Sequence, residues 1–132
     1  KGKSVVKSIT YTDKPDHSRL YYPKLSEEYL DERDHIPEDT VVIVEDVMSA
    51  IRVMRYRDSV ALLGSSLNIA QALELMEGYK HVILALDADA TDKAIKIARE
   101  YAGYFSSFEV KQLEKDPKDC TEDELERMFL LV

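Results

Sequence analysis

The sequence predicts an α/β domain: a central parallel sheet of about four strands with helices on both faces, preceded by a short β-rich amino-terminal extension. From Thr40 onward, short apolar runs alternate with segments of helical periodicity, and the links between them are only a few residues long. The first run, Val41-Val42-Ile43-Val44, is continuous and β-branched, the pattern of a strand covered on both faces. Strand–helix alternation with short links implies parallel strands joined by right-handed crossovers.

The elements follow in order. After the 41–44 run, Asp46 to Tyr56 places Val47, Ile51 and Met54 at helical spacing, with Asp46 as a candidate N-cap. Ser59 to Leu63 reads as a second strand, stopped by Gly64. Ser65 and Ser66 are candidate N-caps for a helix over Leu67 to Glu77, which Gly78 closes. His81 to Leu86 is a third strand. Thr91 to Tyr101 is a third helix, with Ala94, Ile97, Ala98 and Tyr101 on one face and Gly103 past its end. Phe108 to Leu113 is a fourth strand, broken before Pro117. Thr121 with Glu124 three residues on forms a capping box that opens a final helix. Before Thr40, strands are expected over Val5 to Thr12 and around Arg19 to Tyr22, followed by a charged stretch from Glu27 to Asp39. Residues 1–39 therefore read as an extension or the remnant of a preceding subdomain, and 40–132 as the main unit.

Bulk composition narrows the functional classes. At 132 residues, 45% apolar and 33% charged, the chain can build one real core. It contains no apolar run near the ~20 residues of a membrane span, and no membrane partner is expected. The single cysteine, Cys120, cannot form an internal disulfide or a cysteine-rich zinc site. A cytoplasmic location is the default expectation. The net charge of −8 has the wrong sign for a protein that grips nucleic acid mainly through phosphate contacts. Acidity concentrated where metal ions neutralise it would remove the conflict.

Such a concentration falls at the carboxyl ends of the expected strands, where open α/β sheets bind ligands. Glu45 ends the first strand, Asp87 and Asp89 follow the third, and Asp116 and Asp119 follow the fourth. Residues two apart on an extended chain point the same way, so Asp87 and Asp89 can share one space. Crowded carboxylates repel and raise each other's pKa, and a divalent cation relieves the repulsion. Hard oxygen donors with room for water suit Mg²⁺ or Mn²⁺ better than zinc. Acidic residues are common in loops, and an Asp-x-Asp pair alone is a weak signal. The independent placement of Glu45 makes the set stronger than its parts.

Four segments in order then resemble one family. They are Val41-Val42-Ile43-Val44-Glu45, Leu62-Leu63-Gly64-Ser65-Ser66-Leu67, Leu86-Asp87-Ala88-Asp89-Ala90 and Lys115-Asp116-Pro117-Lys118-Asp119. Together, over roughly Thr40 to Phe129, they resemble the Toprim domain, a Rossmann-like fold shared by primases, topoisomerases and some nucleases. The Gly64–Leu67 turn and the Asp116–Asp119 element are most similar to those of bacterial-type and bacteriophage primases. The resemblance implies that Glu45 is the catalytic acid or base, that Asp87 and Asp89 bind metal, and that Asp116 or Asp119 is a further acidic ligand. It implies Mg²⁺- or Mn²⁺-dependent nucleotidyl transfer, that is, primer synthesis from nucleotides on a single-stranded DNA template. A zinc-binding module and a helicase would be partners. A Toprim nuclease, or a non-catalytic module that binds DNA or a partner, are the alternatives. The chain departs from the family in carrying Asp46 where glycine is usual, and Thr91-Asp92-Lys93 where Ala-Gly and a basic residue are usual.

Several basic residues are candidates for phosphate contact: Arg52 and Arg55 one turn apart on the first helix, with Arg57 beyond, and Lys93, Lys96 and Arg99 on the third. Lys93 lies nearest the Asp-x-Asp pair. A solvated helix face is the plain reading of the others. Gly64, Ser65 and Ser66 could present backbone amides to an anion at a helix start, or serve as an ordinary strand–helix link. His17, His35 and His81 lack ligand spacing. Tyr11, Tyr21 and Tyr22 could stack on bases, but half-buried strand tyrosines are the plainer reading.

Overall fold

A computed structural model of the chain describes residues 20–23, 39–62 and 66–130. The expected strand over Val5 to Thr12, the residues Gly64 and Ser65, and most of the charged 27–39 stretch lie outside the described residues.

The sheet has five strands: β1 (Leu20–Tyr21), β2 (Thr40–Val44), β3 (Ser59–Leu62), β4 (His81–Leu84) and β5 (Ser107–Val110). Their spatial order is β1-β3-β2-β4-β5. The four strands from β2 onward are parallel, with Val42 opposite Ser59, Ile43 opposite Leu84 and Val82 opposite Phe108. Strand β1 adds antiparallel at the edge, pairing Leu20 with Leu62. The expected strand around Arg19 to Tyr22 is thus realised as Leu20–Tyr21.

Strand periodicity divides the core. Val41 and Ile43 face one side with Leu75, Ala94, Ile97 and Tyr101, from helices α2 (Ile69–Met76) and α3 (Thr91–Tyr101). Val42 and Val44 face the other with Ala50, Val53, Leu125 and Phe129, from α1 (Val47–Met54), α4 (Glu122–Leu125) and the π-helical turn Glu126–Leu130. Every residue of β2 is buried, as its unbroken apolar run requires.

Three local expectations change. Helix α1 packs through Ser49, Ala50, Val53 and Met54, whereas Ile51 is 44% exposed. Small residues face the sheet here, and Ser59 Oγ donates to the carbonyl of Ala50 at 2.6 Å. Close helix–sheet approach, rather than side-chain hydrophobicity, selects the buried face. Helix α2 begins at Asn68 instead of at Ser65 or Ser66. The Asn68 side chain accepts from Gln71 N–H and the Gln71 side chain accepts from Asn68 N–H, a complete capping box. The fourth parallel strand stops at Val110, and Leu113 turns into the core beneath α4. The Thr121–Glu124 capping box and the Asp46 N-cap form as the sequence suggests.

Candidate metal and catalytic site

The order of the parallel strands reverses between β2 and β4. Their carboxyl ends therefore splay into a crevice at the position where open α/β sheets bind ligands. Glu45 leaves β2 directly. Beyond β4 the chain stays in register, since Ala85 N–H donates to the Ile43 carbonyl at 2.8 Å. This extended exit carries Asp87 to the neighbouring position, and Asp87 N–H donates to Glu45 Oε2 at 3.3 Å.

Asp116 reaches the same place from the loop after β5. It opens the 3-10 turn Pro117–Asp119, its carbonyl accepting from Asp119 N–H at 2.8 Å. A hydrogen bond to the Asp116 carboxyl, burial, and the negative charges of Glu45, Asp116 and Asp89 push Asp87 up from 3.8 to about 7. The Asp116 carboxyl is thus the largest single influence on Asp87. Three strand ends meet here.

The other expected acids are placed differently. Residues Ala88–Ala90 form a 3-10 turn rather than the extended Asp-x-Asp arrangement, and Ala90 N–H donates to the Asp87 carbonyl at 2.9 Å. Asp89 is consequently exposed and acts on Asp87 only through its charge. Asp119, also exposed, is not among the groups that shift Asp87. Asp116 is the member of the fourth motif that acts on Asp87.

The basic candidates also find specific places. Arg52 donates to the carbonyls of Lys118 (3.1 Å) and Cys120 (2.8 Å) and to Glu122 Oε2 (3.2 Å). Arg55 reaches Glu122 Oε1 at 3.4 Å, and Tyr56 OH donates to the same oxygen. Both guanidiniums are engaged with neighbouring groups of the protein at this point. Lys93 lies in the first turn of α3, half-buried. Lys118 was not singled out by its sequence position, yet its Nζ bridges Asp116 Oδ2 (3.5 Å) and Asp46 Oδ2 (3.6 Å). Among the described histidines, His81 pairs with Ser107 and Asp39, away from the crevice. Tyr22 is buried and donates to Glu74, so it is a core side chain.

Among the described residues, no three His, Cys, Asp or Glu side chains stand ready-spaced as a metal shell. The donor chemistry nevertheless fits a hard divalent cation. Glu45, Asp87 and Asp116 offer only carboxylate oxygens, and their crowding is severe enough to hold a proton on Asp87 near neutrality. A cation such as Mg²⁺ binds through one or two carboxylates and keeps its remaining waters.

The protein-family model for the Toprim domain matches residues 40–118, more than half of the sequence. The chain belongs to the Toprim family. The match spans β2 through the Asp116 loop, so all three crevice acids lie within the Toprim region. Among solved structures, the zinc-binding and RNA polymerase domains of the Aquifex aeolicus primase align with a TM-score of 0.65 at 21% identity, covering 88% of this chain and 30% of that one. The E. coli primase catalytic core gives 0.60 at 20% identity, covering 89% and 40%. A DnaG primase catalytic domain bound to single-stranded DNA gives 0.58 at 22% identity, covering 88% and 38%. These likenesses establish a shared fold, and this Toprim chain spans well under half the length of the primases it resembles. Comparison with curated proteins returns no match.

Proposed function

We propose that this Toprim domain binds Mg²⁺ or Mn²⁺ through Asp87 and Asp116 beside Glu45. We further propose that it carries nucleotidyl transfer, the primer-synthesis chemistry of a primase core. The observation that supports this most strongly is the meeting of Glu45, Asp87 and Asp116, from three strand ends, at the topological switch point. Scattered surface acids would not crowd one another into holding a proton.

The roles follow from the positions. Glu45 accepts a hydrogen bond from Asp87 N–H, which fixes one carboxylate oxygen and leaves the other to take the proton of an attacking 3′-hydroxyl. Asp87 must lose its proton before it can ligate, so productive binding couples to its deprotonation. Asp89 contributes negative charge at the mouth of the crevice. When bound, a divalent cation supplies electrostatic stabilisation of the phosphoryl oxygens and of the leaving pyrophosphate. Lys93, at the start of α3, and the Gly64–Ser65 turn are the groups proposed to hold nucleotide phosphates.

With a net charge of −8, long-range attraction cannot supply much affinity for DNA. The single-stranded template would then be held by local contacts and by other modules. A zinc-binding module would be one, by analogy with the Aquifex protein; a helicase would supply single strands.

The test is a template-and-nucleotide assay with Mg²⁺ or Mn²⁺, with and without an added zinc-binding module. Short oligomers are expected, and Glu45→Gln and Asp87→Asn should each lower their yield by about 10²–10³-fold. Degradation of the nucleic acid would instead establish a nuclease using the same acids. Metal binding with neither activity would establish a binding module. Full activity in either variant would move the chemistry elsewhere.

A further inference from the structure

Helix α1 does more than cover one face of the sheet. Its amino end follows Glu45, and Asp46, which caps it, also holds Lys118. Its carboxyl half holds the loop that supplies Asp116. Arg52 sends one terminal nitrogen to the Lys118 carbonyl and the other to the Cys120 carbonyl, and Glu122 Oε2 accepts from that second nitrogen as well. Glu122 is itself fixed by Arg55 and by the Tyr56 hydroxyl. Pro117 and Cys120 are buried and anchor the loop at two points. Two anchors leave the 3-10 turn free to rock about the line between them. The planar fork on two of its carbonyls removes that freedom.

We propose that Arg52 is a positioning residue: with Glu122 it latches the 117–120 turn to α1 and thereby sets Asp116 against Asp87 for metal binding. The inference rests on the metal reading given above. It does not reduce to overall stability. The Arg52 and Glu122 side chains are 28% and 54% exposed, and ion pairs so exposed add little to folding. Nor does it reduce to charge. Removing a positive charge near a cation site favours the cation, so a purely electrostatic Arg52 would weaken binding and its loss would tighten it. A latch predicts the opposite sign.

The experiment measures Mn²⁺ affinity at fixed ionic strength, by the electron paramagnetic resonance of free Mn²⁺, for wild type, Arg52→Gln and Arg52→Lys. Arg52→Lys keeps the charge and loses the fork. Both variants should bind about 10–100-fold more weakly, the usual cost of disturbing a group that orients a metal ligand. In the metal-free protein, hydrogen exchange at the Asp119 and Cys120 amides, which close the turn, should quicken in both. Exchange at Val42 and Ala85 in the sheet should not change. If Arg52→Gln fails to fold, Arg52→Lys carries the test. Equal or tighter Mn²⁺ binding in Arg52→Lys, with wild type binding normally, overturns the latch alone. Weaker binding without faster exchange in the turn overturns it too, since the effect would then not pass through the loop. A wild-type protein that does not bind Mn²⁺ overturns the metal reading and the positioning role together.

Discussion

Replacing Asp87 with asparagine tests the crowding of the crevice in the absence of any substrate. The Asp116 contact, burial and the neighbouring charges raise Asp87 from 3.8 to about 7. Between those pH values the folded chain holds a proton that the unfolded chain has released, so stability falls as pH rises and the penalty is complete above about pH 7. Linkage across the whole interval would come to ~4 kcal/mol. The carboxyl is only partly buried, and screening by water reduces the working figure to about 1–2 kcal/mol. In a domain of this size that corresponds to ~3–8 °C in Tm. More than a third of that interval already lies below pH 5, so metal-free Asp87→Asn should melt only ~1–3 °C above wild type there. At pH 8 the variant should melt ~3–8 °C higher. The difference between the two proteins cancels the titrating groups that do not interact with Asp87. Adding Mg²⁺ at ten times its Kd should stabilise wild type at pH 8 by ~1.4 kcal/mol and leave the variant nearly unmoved. Circular dichroism melts at matched ionic strength, with a chelator in the metal-free arm, decide the matter. Parallel melting curves for the two proteins from pH 5 to pH 8 would show that Asp87 is not crowded, and the crevice would lose its physical basis.

Asp89→Asn should weaken Mn²⁺ binding only about threefold, measured by the same resonance signal, because an exposed carboxylate acting at long range is largely screened; a loss matching that of Asp87→Asn would make it a ligand. Asn68→Ala removes one half of the α2 capping box and should cost ~1 kcal/mol in urea denaturation, whereas Ser66→Ala should cost almost nothing. Phe129 is fully buried under the α1 face, so Phe129→Ala should cost ~3–5 kcal/mol by the same measurement.

Much of the fold is legible in the sequence because one signal dominates each element. The run Val41 to Val44 can only be a strand buried on both faces, and it lies at the centre of the sheet, paired on both sides. The buried stripe of α3 over Ala94, Ile97 and Tyr101 follows its periodicity. Legibility fails where hydrophobicity and shape compete. Ile51 reads as a core residue, but Ser49 and Ala50 allow the closer approach and take the buried face. The start of α2 fails for a related reason. Ser65 and Ser66 follow a glycine and invite a cap, while the reciprocal Asn68–Gln71 pair satisfies two backbone donors and prevails.

The site divides along the same line. Glu45 and Asp87 are legible because strand ends are legible, and the sheet topology then brings two strands distant in sequence side by side. The choice between Asp116 and Asp119 is not a strand-end question. It turns on one 3-10 turn: Pro117 is buried, Asp116 at its start is partly buried beside Lys118, and Asp119 at the far end is left in solvent. What fixes that turn lies 66 to 70 residues away along the chain, where Arg52 meets the carbonyls of Lys118 and Cys120 and the carboxylate of Glu122. Two of those three acceptors are backbone atoms, which leave no mark in the residue types, and Glu122 reads only as one more acid in a helix's first turn. Arg52, one turn from Arg55, therefore looks like a free cation for a phosphate. Its terminal nitrogens are instead engaged within the protein, and by our proposal that engagement positions the third carboxylate of the crevice.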